Sequence, residues 1–269
     1  MNHHMEHASG SSPEIIFPMF FIIVLFSFLY MGAAYVLKRR KQLRQWPLHR
    51  CIFWILGVSC AIFAVDGPLA EQAHTDFNCH MTAHLLLGML APLLIALSVP
   101  MTLLLRTVKI SFARRLTQVM KIKIVHLFFH PVVAAILNIG GLWLLYTTNL
   151  YSVMHTNMVW YVVIHMHIFI AGYLFTVSMI YMDPVSCRYP FAYRAIVLVL
   201  ASAGHGILSK YIYANPPAGV VAAQAKTGGM LMYYGGDAIE LIMIFIFCLQ
   251  WFRATRPKAF ASVRRETSL

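Results

Sequence analysis

Apolar residues run through this chain in long unbroken blocks. They do not follow the period of 3.6 of a surface helix or the alternation of a half-buried strand. Seven blocks stand out, at about 15–37, 51–66, 80–105, 124–146, 157–181, 191–213 and 228–250. A helix rises ~1.5 Å per residue and needs roughly 20 apolar residues to cross the hydrocarbon of a bilayer. Each block therefore predicts a membrane helix, the short second one being extended at the interface by Trp46, Pro47 and Leu48. Pro92 and Pro100 fall inside the third block and predict a kink or an end there.

The polar segments between blocks set an orientation. Nineteen of the 21 Lys and Arg lie in 38–50, 106–123, 182–194 or beyond 252, and only Lys210 and Lys226 lie in the alternate segments. Positive charge is retained on the cytoplasmic side. The expected fold is all-α, a polytopic membrane protein of seven transmembrane helices with its N-terminus outside and its C-terminus cytoplasmic. Residues 1–14 form an extracytoplasmic His/Met-rich tail, 15–252 the membrane domain and 253–269 a basic cytoplasmic tail. The first block is too long for a signal-peptide core, and its basic residues follow it, so it reads as a retained helix.

Composition excludes the other broad classes. With 60% hydrophobic and 11% charged residues, the chain is far too apolar for a soluble domain or a disordered one. The formal charge of +12 would suit nucleic acid, but its placement assigns it to topology and to anionic lipid at the bilayer surface. Nucleic acid is not an expected partner. The five cysteines form no CxxC pair, and there is no P-loop, dinucleotide fingerprint or GxSxG elbow, so no enzyme chemistry is indicated.

Ionisable side chains within membrane blocks mark function by default. His80 and His84 open the third block one helical turn apart, a spacing at which two imidazoles reach one metal; His74 and Asp76 precede them. His165 and His167 lie in the fifth block, with His155 just before it. Two residues apart, they point to nearly opposite sides of a helix, so at most one shares a site with His80 and His84. His205 lies in the sixth block between Gly204 and Gly206, and Asp237 and Glu240 share a face of the seventh after Gly235 and Gly236. All are expected in the outer half of the bilayer, at a metal or haem site or a proton- or substrate-conducting cavity. Taken singly, each has a plainer role: a buried His donating to a carbonyl, a carboxylate accepting from a neighbouring helix, a glycine permitting close packing.

The N-terminus reads Met1-Asn2-His3-His4-Met5-Glu6-His7. With a free amine, His3 could complete a square-planar Cu(II) site with backbone nitrogens; otherwise this is a polar tail. Among 16 methionines, Met230 and Met232 are the expected soft ligands, being near Asp237.

The segments His80 to Leu94 and Pro100 to Arg106 strongly resemble the signature of the polytopic CtaG family of cytochrome c oxidase assembly factors. His130 to Ala134, His165 to Phe175 and Gln224 to Gly236 support the resemblance, which covers about 50–252. Ala83 and Tyr233 stand where the family often has glutamine and tryptophan.

The resemblance implies a multi-pass protein of the bacterial plasma membrane. Such a protein helps mature a haem–copper oxidase through copper binding or delivery, with oxidase subunits as partners. The family's histidines carry over to His80, His84 and His165. In the expected mechanism the tail captures copper and passes it inward to these residues and His205. Asp237, Glu240, His167, Met230 and Met232 support the ligands. The alternatives are a haem-binding electron carrier with His84 and His165 as axial ligands, a transporter with a polar midplane site, or a scaffold.

Overall fold

The computed structural model describes residues 13–39, 45–185 and 187–256, with side chains from 23 onward. The expected copper ligand His3 and the tail 1–14 lie almost wholly outside the described residues, as does most of the tail 253–269. Among the described residues there is no strand.

The helices, in chain order, are α1 (Pro13–Arg39), α2 (Leu48–Val65), α3 (Pro68–Ala73), α4 (Phe77–Leu97), α5 (Pro100–Thr107), α6 (Ile110–Met120), α7 (Lys123–Phe128), α8 (Pro131–Thr147), α9 (Leu150–Thr156), α10 (Met158–Met179), α11 (Phe191–Ala214) and α12 (Ala222–Thr255). Five of them, α2, α4, α10, α11 and α12, are long and apolar enough to cross a membrane. A sixth crossing is made if α8 and α9, bent 80° from one another, are taken as one span. The expectation of seven counted α1 as well. Large apolar side chains on α11 and α12 stand out from the bundle, among them Val199, Leu200, Leu241 and Phe245, each about two-thirds exposed. A contiguous apolar exterior of this kind suits hydrocarbon and not water.

The third apolar block is not one helix. α4 ends at Leu97, and Val99 then adopts left-handed backbone (φ 56°), which a β-branched residue enters only when held there. The hold comes from three sides. The Tyr30 hydroxyl on α1 donates to the Ser98 carbonyl at 2.9 Å. Trp46 Nε1 donates to that hydroxyl at 3.1 Å, and Tyr30 stacks on Trp54 of α2 with ring centres 4.2 Å apart. Beyond the break, the Asp183 carboxylate accepts from the Met101 and Thr102 backbone N–H groups at 3.1 and 2.7 Å and so caps α5. The fourth block likewise starts later than its hydropathy suggests. α8 begins at Pro131 with His130 in the cap position, because proline at the first helical position forfeits no internal hydrogen bond.

Both α4 and α8 contain a π-helical turn near the middle, Leu86–Leu90 and Ile136–Gly140. Each widens the backbone ladder locally. Against the first turn, α10 comes in at Gly172, where a β-carbon would lie 2.1 Å from the Gly88 carbonyl oxygen. Only two glycines allow that approach. One apolar cluster, which includes Met81, Leu142, Ile168 and Met232, fills one end of the bundle. A second, which includes Leu93, Phe175, Val197 and Met243, fills the other.

Candidate functional site

Between the two apolar clusters lies a small cavity of about 30 Å³. Its position follows from the two π turns: Gly88 and Met89 of the first and Asn138 and Ile139 of the second line it. His84 of α4, His205 of α11 and Glu240 of α12 complete its polar wall. All three are buried, at 4%, 1% and 7% exposure.

Neither ring nitrogen of His84 or of His205 has a hydrogen-bond partner among the described residues. His205 Nδ1 stands 3.6 Å from Glu240 Oε1, beyond hydrogen-bond distance. Leaving a buried polar atom unpaired costs about 1–3 kcal/mol, and native proteins seldom leave four such atoms around one space. The rings are nonetheless held. A β-carbon at Gly236 would lie 2.3 Å from His205 Cε1, so the glycine is the seat of that ring. His84 packs against Gly88, whose added β-carbon would sit 3.3 Å from its Cε1, and edge-on to Tyr146. Sulfur is close by, since Met89 and Met243 also line the cavity.

The remaining expected ligands are distributed around this centre. His80, one turn from His84 on α4, is buried, and its Nε2 is hydrogen bonded to the Tyr146 hydroxyl at 3.0 Å. Tyr146 thus touches both histidines of the pair. His165 is buried, its Nδ1 donates to the Tyr161 carbonyl at 2.8 Å, and it lines a different space. That space is an apolar groove of about 360 Å³ among α1, α2, α4 and α10, walled by Trp54, Ile95, Phe169 and Tyr173. His167 faces the other way, exposed, with Nε2 donating to the Leu137 carbonyl at 3.1 Å. Asp237 is half-buried. Met230 is exposed, and Met232 is fully buried in the apolar cluster that contains Met81. Neither methionine lines the His84–His205 cavity.

The structure therefore brings together His84, His205 and Glu240, and sets His80 and His165 beside them in separate surroundings. Among the described residues, no three His, Cys, Asp or Glu side chains converge closely enough to hold one metal ion. Sequence reasoning missed Asn138, a polar side chain in the middle of the α8 block, followed by Gly140 and Gly141. An amide in a membrane helix was the available signal. The π turns left no signal in residue type.

Buried imidazoles around a cavity inside apolar helices define the class: an all-helical protein with membrane-length helices and a histidine-lined internal chamber. The family model for cytochrome c oxidase caa3 assembly factors (Caa3_CtaG) matches residues 28–254, and the chain belongs to that family. It is 24% identical over 260 residues to uncharacterized protein Mb0105 of Mycobacterium bovis, covering 89% of this chain and 39% of that protein. It is 24% identical over 264 residues to uncharacterized protein ML1998 of Mycobacterium leprae, covering 89% and 40%. The chain thus spans about two-fifths of the length of the curated relatives it matches. No solved structure matches it.

Proposed function

We propose that this protein is an accessory factor of haem–copper oxidase assembly in the bacterial plasma membrane, and that it binds copper as cargo in the chamber between His84 and His205. In this reading seven helices cross the bilayer, α1 being the first, and the histidines lie in the outer half. The oxidase subunits are the recipients, and no catalytic turnover is involved.

The observation that carries the reading is the set of four unpartnered ring nitrogens around one buried cavity. Imidazole and thioether are the donors that copper prefers, and His84, His205, Met89 and Met243 supply both kinds. A cavity of about 30 Å³ accommodates an ion or a water molecule and is far too small for a haem macrocycle, which favours an ion over the axial-ligand alternative. Glu240, 3.6 Å from His205, balances the charge of a bound cation or takes the proton that His205 releases.

The test compares wild type with the His84→Gln/His205→Gln double variant. Copper retained by anaerobically purified full-length protein and oxidase content of the membranes are read together. Both are expected to fall in the variant. Equal copper in the two proteins overturns the ligand assignment, and equal oxidase content overturns the assembly role of the chamber.

A further inference from the structure

At the end of the bundle formed by α3 and α9, two histidines from distant parts of the chain meet. His74 closes α3, and His155 lies near the end of α9; their Nδ1 atoms are 3.4 Å apart. His74 is exposed and His155 half-buried, so the pair is reached from outside the bundle. We propose that His74 and His155 form a binding site for a first-row transition-metal dication, distinct from the chamber at His84 and His205.

The separation is the first argument. Two imidazole nitrogens bound at ~2.0–2.1 Å to one tetrahedral ion stand about 3.3–3.4 Å apart, the edge of the tetrahedron. Without an ion the two Nδ1 atoms make a long hydrogen bond to one another at 3.4 Å, and they already stand at the separation that one ion requires.

The second argument is orientation. Tyr161 stacks on His74 with ring centres 5.4 Å apart at 25°, and Tyr151 sits edge-on to His155 at 4.7 Å and 70°. Each ring thus rests against a tyrosine, which reduces the side-chain entropy lost on binding. Nothing in the helices requires these contacts. α3 is a single short turn after Gly67, and the bend of 80° between α8 and α9 is what carries His155 over to it.

The third argument is what lies behind the pair. His80 is 5.9 Å from His155, ring centre to ring centre, and its own Nε2 is engaged by Tyr146. The site therefore has two protein ligands and open positions facing outward. Such a site holds an ion loosely and exchanges it readily. If the chamber carries copper, this pair is where an ion first meets the folded bundle. The assignment of the pair itself does not depend on that.

The experiment measures Zn²⁺ retained by the full-length protein against a moderate chelator, with His3, His4 and His7 replaced by Ala throughout to silence the tail. His74→Ala and His155→Ala are each expected to lose one equivalent, and the double variant is expected to lose no more than either. His155→Gln, which keeps a polar side chain of similar reach, serves where His155→Ala fails to fold. The His84→Gln/His205→Gln variant keeps this ion, so the two assignments fail separately. Unchanged Zn²⁺ in the single variants overturns the proposal, and so does an additive loss, which would mean two independent ions.

Discussion

His167 Nε2 on α10 donates to the Leu137 carbonyl on α8 at 3.1 Å, and that carbonyl belongs to the π turn that opens the wall of the chamber. The Leu137 carbonyl also accepts from the Gly141 backbone N–H at the end of that turn. His167 adds a second donor from the neighbouring helix and ties α10 to α8 there. Gly141 makes room for it, since a β-carbon there would lie 2.4 Å from Nε2. His167→Leu is expected to destabilise the bundle by about 0.5–1.5 kcal/mol, the net worth of one hydrogen bond, and Gly141→Ala by a similar amount. In a double-mutant cycle on thermal unfolding in detergent, the pair together is expected to cost little more than the larger single loss. Full additivity would separate the glycine from the histidine.

The α4–α10 crossing predicts a sharp contrast between two glycines. At Gly172 an added methyl would overlap the Gly88 carbonyl oxygen at 2.1 Å, a backbone atom that cannot move aside alone. Gly172→Ala is expected to separate the helices and cost at least ~3 kcal/mol, beyond ordinary overpacking. Gly32 of α1 has nothing within 4 Å of the same position. Gly32→Ala is expected to be neutral or to stabilise by up to about 1 kcal/mol. Expression and unfolding midpoints of the two variants, side by side, check the contrast.

Among the described residues, Arg194 is the largest fully buried side chain, at 1% exposure. Its guanidinium donates to the carbonyls of Met179 and Tyr189 and lies over the rings of Tyr181, Phe191 and Phe247, 4.0 to 5.1 Å from their centres. It thereby ties the end of α10 to the start of α11. A lysine carries the charge but neither the plane nor the fork of donors. Arg194→Lys is expected to destabilise by about 2 kcal/mol, the combined scale of one desolvated cation–π contact and a lost hydrogen bond. An unfolding midpoint equal to that of wild type would show that charge alone suffices there.

Asp183 holds the break between α4 and α5 by accepting from Met101 N, Thr102 N and Thr102 Oγ1, the last at 2.7 Å. Asp183→Ala removes all three acceptor contacts. It is expected to cost about 1–2 kcal/mol, the scale of a lost N-cap, and to increase hydrogen exchange at Met101 and Thr102 selectively. Uniform exchange across α5 would place the stability of the break elsewhere, in Tyr30 and Trp46.

Hydropathy alone was enough to locate α2, α10, α11 and the body of α12 within a few residues. In a bilayer, length and apolarity outweigh everything else, and nothing tertiary is needed to make such a stretch helical. The buried polar positions His80, His84, His165, His205 and Glu240 were legible for the same reason, because an ionisable group in an apolar block stands out. Which of them share a space was not legible. Met232 and Met230 sit near Asp237 in sequence, yet the chamber takes its sulfur from Met89 and Met243. His165 and His84 were paired as potential ligands, yet they line different spaces. The meeting of His74 and His155, 81 positions apart, depends on the 80° bend after α8. Helix rotation and crossing are set by close packing, here by Gly88 against Gly172 and by two π turns that shift the faces of α4 and α8. Those contacts join residues far apart in the chain, and a one-dimensional pattern carries no record of them.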